Sequence, residues 1–190
     1  MHGIKPKIIQ QPVRGRMCGT KTIPDKRRIE PSLIIQLEFS NNTEESEALL
    51  ASDRYLCHLA LVSSELNISK MVAKLDVAGE TVIQNTTIGT EMICGSVLKD
   101  PVSLEKHIYF VFPNLSVRYA GVYRFCCSIV SLDSGTCRQV TTDPFRVHSS
   151  ETYPGAIERT VLEVSFHNQG VQMPGRFKAI KPRHIKTKIT

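Results

Sequence analysis

The sequence predicts an all-β fold, a sandwich or barrel of short strands, with one short helix near the C-terminus. Three observations predict it. Strand-length runs rich in β-branched and aromatic residues recur along the chain, among them SLIIQLEF, HIYFVFPN and GVYRFCCSIVSL. Turn residues separate them, as at Ala78-Gly79, Asp100-Pro101 and Ser134-Gly135-Thr136. A helix signature occurs once, after residue 160. With 190 residues, of which 41% are hydrophobic and 22% charged, the chain can bury the core of one domain and carry tails besides.

In chain order, the first strand is read over KIIQQPVRGR (7–16). Pro12 has no N–H for a ladder, so this strand should lie at an edge or end there. RGRMCGTKTIPDKRR (14–28) follows, with no helical or strand period and with six cations against one acid. SLIIQLEF (32–39) is apolar enough for a buried strand, and NNTEESEALLASD (41–53) reads as a polar loop. In RYLCHLALVSS (54–64), Leu56, His58, Ala60 and Val62 alternate with Cys57, Leu59 and Leu61, which predicts a strand covered on both faces. ISKMVAKLDV and ETVIQNTTI form a hairpin around Ala78-Gly79, and EMICGSVLK (91–99) is read as one strand. HIYFVFPN (107–114), GVYRFCCSIVSL (121–132) and CRQVTTDPFRVHSS (137–150) complete the strands. Thr160 and Glu163 make a capping box, Leu162 and Phe166 share a face, and Gly170 suits a C-cap, so a short helix should dock through Leu162 and Phe166.

Gly121-x-Tyr123-x-Phe125 has the form of a tyrosine corner, as found in immunoglobulin-like sandwiches. There Gly121 would permit a close approach, the Tyr123 hydroxyl would bond upstream backbone, and Phe125 would enter the core. The surrounding stretch, HIYFVFPNLSVRYAGVYRFCCSIVSL, resembles the signature of the velvet family of fungal regulators. QQPVRGRMCG, DPFRVHSSETYPG (143–155) and FHNQGV (166–171) agree with that family in the same order, so that the resemblance covers about residues 8–173. Asn114 and His148 stand where Asp and Tyr are usual in the family.

The resemblance implies an immunoglobulin-like β-sandwich akin to Rel-type DNA-binding domains. It also implies a transcriptional regulator of development, sporulation and secondary metabolism that binds double-stranded DNA and forms homo- or heterodimers with other velvet proteins. The family's basic N-terminal loop is its expected DNA-contacting element, and the matching positions here are Arg14, Arg16, Lys21, Lys26, Arg27 and Arg28. The physics agrees. Lys and Arg neutralise phosphates, and Arg can chelate guanine O6 and N7. Arg14 and Arg16, nearest a strand, are the candidates for bases, and the other four are the candidates for phosphates.

Charge partition supports a polyanionic partner. Residues 1–31 balance at +6, residues 175–190 at +6 and the intervening body at −6. The tail GRFKAIKPRHIKTKIT (175–190) reads as an import-type signal carried by Lys181, Arg183, Lys186 and Lys188. A second phosphate-binding arm and a solvated end are the alternatives. The expected setting is the nucleus, with shuttling to the cytoplasm. Import proteins and methyltransferase-like regulators are further candidate partners.

No stretch approaches the ~20 apolar residues of a membrane span. No secretory signal is read in MHGIKPKIIQQP, so reduced thiols are expected. The six cysteines lack zinc spacing, and neither catalytic motifs nor cofactor fingerprints occur, so no enzyme, cofactor or metal is predicted. At least one of Cys126 and Cys127 should enter the core. His58 and His107 read as structural. Cys18, beside Arg14, Arg16 and Lys21, is the one thiol whose thiolate its neighbours would favour, with an ordinary thiol the simpler reading. Two rival functions stay open: a dimer partner with little DNA affinity of its own, and an extracellular adhesion domain. Sequons at Asn41, Asn67, Asn85 and Asn114 keep the second alive.

Overall fold

A computed structural model describes residues 4–19, 27–40, 51–64, 72–77 and 80–174. In chain order the strands are β1 (Ile4–Gln10), β2 (Arg14–Arg16), β3 (Leu33–Phe39), β4 (Tyr55–Ser63), β5 (Val72–Val77), β6 (Glu80–Asn85), β7 (Thr87–Ile88), β8 (Met92–Cys94), β9 (Ser96–Lys99), β10 (Lys106–Phe112), β11 (Ser116–Val117), β12 (Gly121–Ser131), β13 (Cys137–Thr141) and β14 (Phe145–His148). One helix, α1 (Val161–Asn168), follows them.

Two sheets share the core. One has the order β1-β3-β10-β9, and the other β2-β14-β12-β4-β8, with β13 also paired to β12. With β1, β3, β4, β9, β10, β12 and β14 taken as the seven main strands, the first, second, fifth and fourth form one sheet. The third, sixth and seventh form the other. This is the immunoglobulin arrangement.

Period-2 alternation explains which side faces the core. Leu33, Ile35 and Leu37 of β3 and Ile108, Phe110 and Phe112 of β10 meet Cys57, Leu59 and Leu61 of β4 and Phe125, Cys127 and Ile129 of β12. The intervening residues Ile34, Tyr109 and Val111 emerge on the other face of the first sheet, where they pack with Leu98, Phe166 and Met173. The Phe166 ring lies 4.7 Å from Tyr109, so α1 covers that face, with Leu162 packed at its margin. The helix starts at the expected capping box. Glu163 N donates to Thr160 Oγ1 (3.1 Å), and Thr160 N donates to Glu163 Oε2 (3.2 Å). Gly170, just past the helix end, has φ +98°.

The structure corrects three expectations. Residues 91–99 are not one strand: β8 pairs with β4 in one sheet, β9 pairs with β10 in the other, and Gly95 lies at the crossing. A Cβ at Gly95 would lie 2.6 Å from Ile108 Cγ2 and 2.7 Å from the Ser52 carbonyl, so the crossing requires glycine. The strand read over 7–16 is likewise two, β1 and β2, because the chain changes sheets around Pro12. β4 is covered on one face only: Cys57, Leu59 and Leu61 are buried, whereas His58 is exposed and so has no structural partner role of the kind expected. The 41–53 loop is described only from residue 51 onwards, and Ala78-Gly79 lies outside the described residues. The hairpin arms β5 and β6 pair as expected, with Val77 opposite Glu80.

Candidate nucleic-acid interface

Leaving the first sheet at Gln10, the chain joins the second as β2, parallel to β14, with Arg14 opposite Arg146, Gly15 opposite Val147 and Arg16 opposite His148. Alternation buries Gly15 and puts Arg14 and Arg16 together on the outer face. The chain returns beside its starting point. Val13 N and Arg14 N donate to the Glu30 carbonyl (both 3.0 Å), and Glu30 N donates to the Arg14 carbonyl (2.7 Å). Residues 15–29 therefore form an excursion whose base is closed by backbone.

Its two stems are gripped from the side. Met17 N donates to the His148 carbonyl (2.8 Å), Cys18 N to Val117 (3.0 Å), Gly19 N to Arg118 (3.1 Å) and Ile29 N to Leu115 (2.7 Å). The Arg118 guanidinium donates to the carbonyls of Gly19 (3.0 Å) and Asn85 (2.8 Å). Backbone held on so many sides carries its side chains at fixed positions, unlike an ordinary surface loop.

A buried carboxylate organises the foot of the excursion. Glu30 is 7% exposed and accepts from Arg28 Nε (3.1 Å), the Tyr153 hydroxyl (3.2 Å) and Ile157 N (2.8 Å). Burial, and then the nearby Glu30 charge, push the Tyr153 phenol above its usual range, against the pull of Arg14 and Arg27. It thus stays a proton donor to Glu30. The His148 ring stands edge-on to Tyr153 at 6.3 Å.

The expected contact residues divide accordingly. Arg14 and Arg16 are half-buried on β2, and Arg27 is exposed. Arg14 Nε is buried with no hydrogen-bond partner. Arg28 is committed to the fold, because its Nη1 donates to the Pro174 carbonyl (2.9 Å) while its Nε holds Glu30. Lys21, Lys26, Lys181, Arg183, Lys186 and Lys188 lie outside the described residues. Sequence reasoning missed Arg146, an exposed cation brought opposite Arg14 by β14, and His148 opposite Arg16. The alternation in FRVH was its signal, since Phe145 and Val147 are buried.

Cys18 is buried, and its thiol donates to the Val117 carbonyl (3.4 Å), an arrangement that fits an ordinary thiol. Among the described residues no group of three or more His, Cys, Asp or Glu is placed to hold a metal ion. Cys127 is buried and Cys126 half-buried, in keeping with one core position of the two.

The tyrosine-corner residues lie at the far end of β14. The Tyr123 hydroxyl donates to the Tyr119 carbonyl (3.3 Å), and a Cβ at Gly121 would sit 2.9 Å from the Tyr123 ring. Phe125 is buried and stacks on Phe145 at 5.1 Å. This corner sets the start of β12, and β12 holds β14, against which β2 and its arginines are built.

The family model of the velvet factor matches residues 5–87 and 71–179, nearly the whole chain. The chain belongs to the velvet family. This velvet domain is 27% identical over 186 residues to the developmental and secondary metabolism regulator veA of Hapsidospora chrysogenum, covering 86% of this chain and 35% of that protein. It is 25% identical over 185 residues to the sexual development regulator umv3 of Mycosarcoma maydis, with coverage of 89% and 44%. It is 26% identical over 170 residues to the spore development regulator VOSA of Pyricularia oryzae, with coverage of 87% and 32%. The velvet domain thus spans between 32% and 44% of the length of these three curated relatives. All three are named as regulators rather than enzymes.

Proposed function

We propose that this velvet domain is a nuclear transcriptional regulator that binds double-stranded DNA through the excursion beginning at Arg14, and that it acts as a homo- or heterodimer with another velvet protein. The carrying observation is the backbone closure between Arg14 and Glu30, which holds two arginines on one sheet face at the root of a six-cation segment. Arg14 and Arg16 read guanine edges in the major groove. Lys21, Lys26 and Arg27 contact phosphates, and Arg146, beside Arg14, extends the cationic face. Arg28 supports the segment from within.

The double variant Arg14→Ala, Arg16→Ala, titrated at fixed salt, should lose at least tenfold more affinity for a selected duplex than for a random one, since each bidentate base contact is worth about 1–3 kcal/mol. Equal losses on both duplexes would show that these residues do not read bases. Sedimentation of the chain alone, and mixed with a second velvet protein, tests dimerisation. A shift in DNA mobility only in the mixture would favour the dimer-partner reading.

A further inference from the structure

The two basic segments of this chain lie at opposite ends of the sequence, yet the fold joins them. The Pro174 carbonyl accepts from Arg28 Nη1 (2.9 Å), across 146 positions of sequence, and also from Arg159 Nη2. Met173, one residue earlier, is 7% exposed in the cluster around Phe166. The chain therefore enters residues 175–190 from a fixed point at the foot of the 14–28 excursion. Those sixteen residues include Arg176, Lys178, Lys181, Arg183, Lys186 and Lys188, and no acid.

We propose that residues 175–190 form a second phosphate-binding arm that engages the same DNA duplex as residues 14–28, the two being clasped together by Arg28 and Pro174. The inference rests on the DNA-binding reading above. Extended chain covers at most about 3.5 Å per residue, so Lys26 lies within ~7 Å of Arg28 and Lys178 within ~14 Å of Pro174. Two like-charged segments starting so close repel unless a polyanion lies between them. A duplex, with one charge per ~1.7 Å of axis, supplies that polyanion. Once the excursion is seated, the tethered arm meets neighbouring phosphates at an effective concentration in the millimolar range. An arm of this kind adds affinity without reading sequence.

The test compares three proteins: residues 1–190, residues 1–174, and the full-length variant Lys181→Gln, Arg183→Gln, Lys186→Gln, Lys188→Gln, which retains the whole chain. Each is titrated with the selected and the random duplex over a range of salt. If about three arm cations reach phosphates, both altered proteins should show a log K against log salt slope shallower by about 3. Affinity for both duplexes should fall by the same factor, about tenfold or more at low salt. Arg28→Gln should weaken the full chain more than it weakens residues 1–174, because a clasp matters only when it holds something. Unchanged slopes in a full chain that does bind DNA would overturn the arm alone. A full chain that binds no duplex would overturn the DNA reading itself. Substitutions that abolish nuclear accumulation of a reporter but leave the titrations unchanged would assign the tail to import and overturn the arm.

Discussion

At the scale of the residue, Gly121 and Tyr123 act as a pair. The ring folds back over its own strand so closely that a Cβ two residues earlier would lie 2.9 Å from it. Gly121→Ala should therefore cost about 1–3 kcal/mol in urea denaturation. Tyr123→Phe, which keeps the packing and loses the bond to Tyr119, should cost about 1 kcal/mol. The buried thiols give a pH signature. Burial pushes Cys57 up to about 12 from an ordinary value near 9, and pushes Cys127 up as well, with the neighbouring Cys57 adding to it. Below about pH 9 folded and unfolded chains both keep these protons, and their contribution to stability is complete. Above it the unfolded chain ionises first, so stability should fall as pH rises from about 9 towards about 12. Cys57→Ala, Cys127→Ala should start less stable but lose less over that interval, by up to one proton per thiol in the slope. Chemical denaturation at several alkaline pH values measures both quantities.

Among the elements, the informative ones are those that change sheets. β1 passes to β2 around Pro12, and β8 passes to β9 at Gly95. Each crossing transfers an edge strand from one layer of the sandwich to the other, and so ties the layers together at their margins. Gly95→Ala would drive a methyl group against Ile108 Cγ2 and the Ser52 carbonyl. It should destabilise the fold by about 3 kcal/mol in thermal or chemical denaturation. Loss below about 0.5 kcal/mol would mean that the crossing relaxes easily. At the other margin, Lys99 N donates to Gln169 Oε1 (2.7 Å), and Gln169 Nε2 donates to the Lys99 carbonyl (2.9 Å), so the residue that ends α1 seals an exposed strand edge. Glu163 does similar work at the helix start, accepting from Ser32 N (3.0 Å) and Ser32 Oγ (2.6 Å).

For the whole molecule, the distribution of charge is the controlling fact. An acidic body separates two basic segments in sequence, and the fold brings their anchor points together at Arg28 and Pro174. If about six phosphates are engaged in all, log K should fall against log salt with a slope near −5, measured by titration from low to moderate ionic strength. A flat response would remove the electrostatic account of binding.

Local pattern alone determined much of this protein. The alternation in LIIQLEF and GVYRFCCSIVS marked core strands, Thr160 and Glu163 marked the helix start, and the ordered motif blocks marked the family. These signals were legible because each depends on residues close in the chain, where period and capping chemistry act directly. Tertiary structure decided the rest. Nothing local distinguishes the two halves of EMICGSVLK, since the separation depends on which sheet edge each half meets. Arg28 looked like another surface cation until Glu30 and Pro174 were placed around it, and Arg146 became part of the basic face only through pairing across 132 residues. Such partners are set by how the two sheets stack and where their edges lie, and that information is spread over the whole chain.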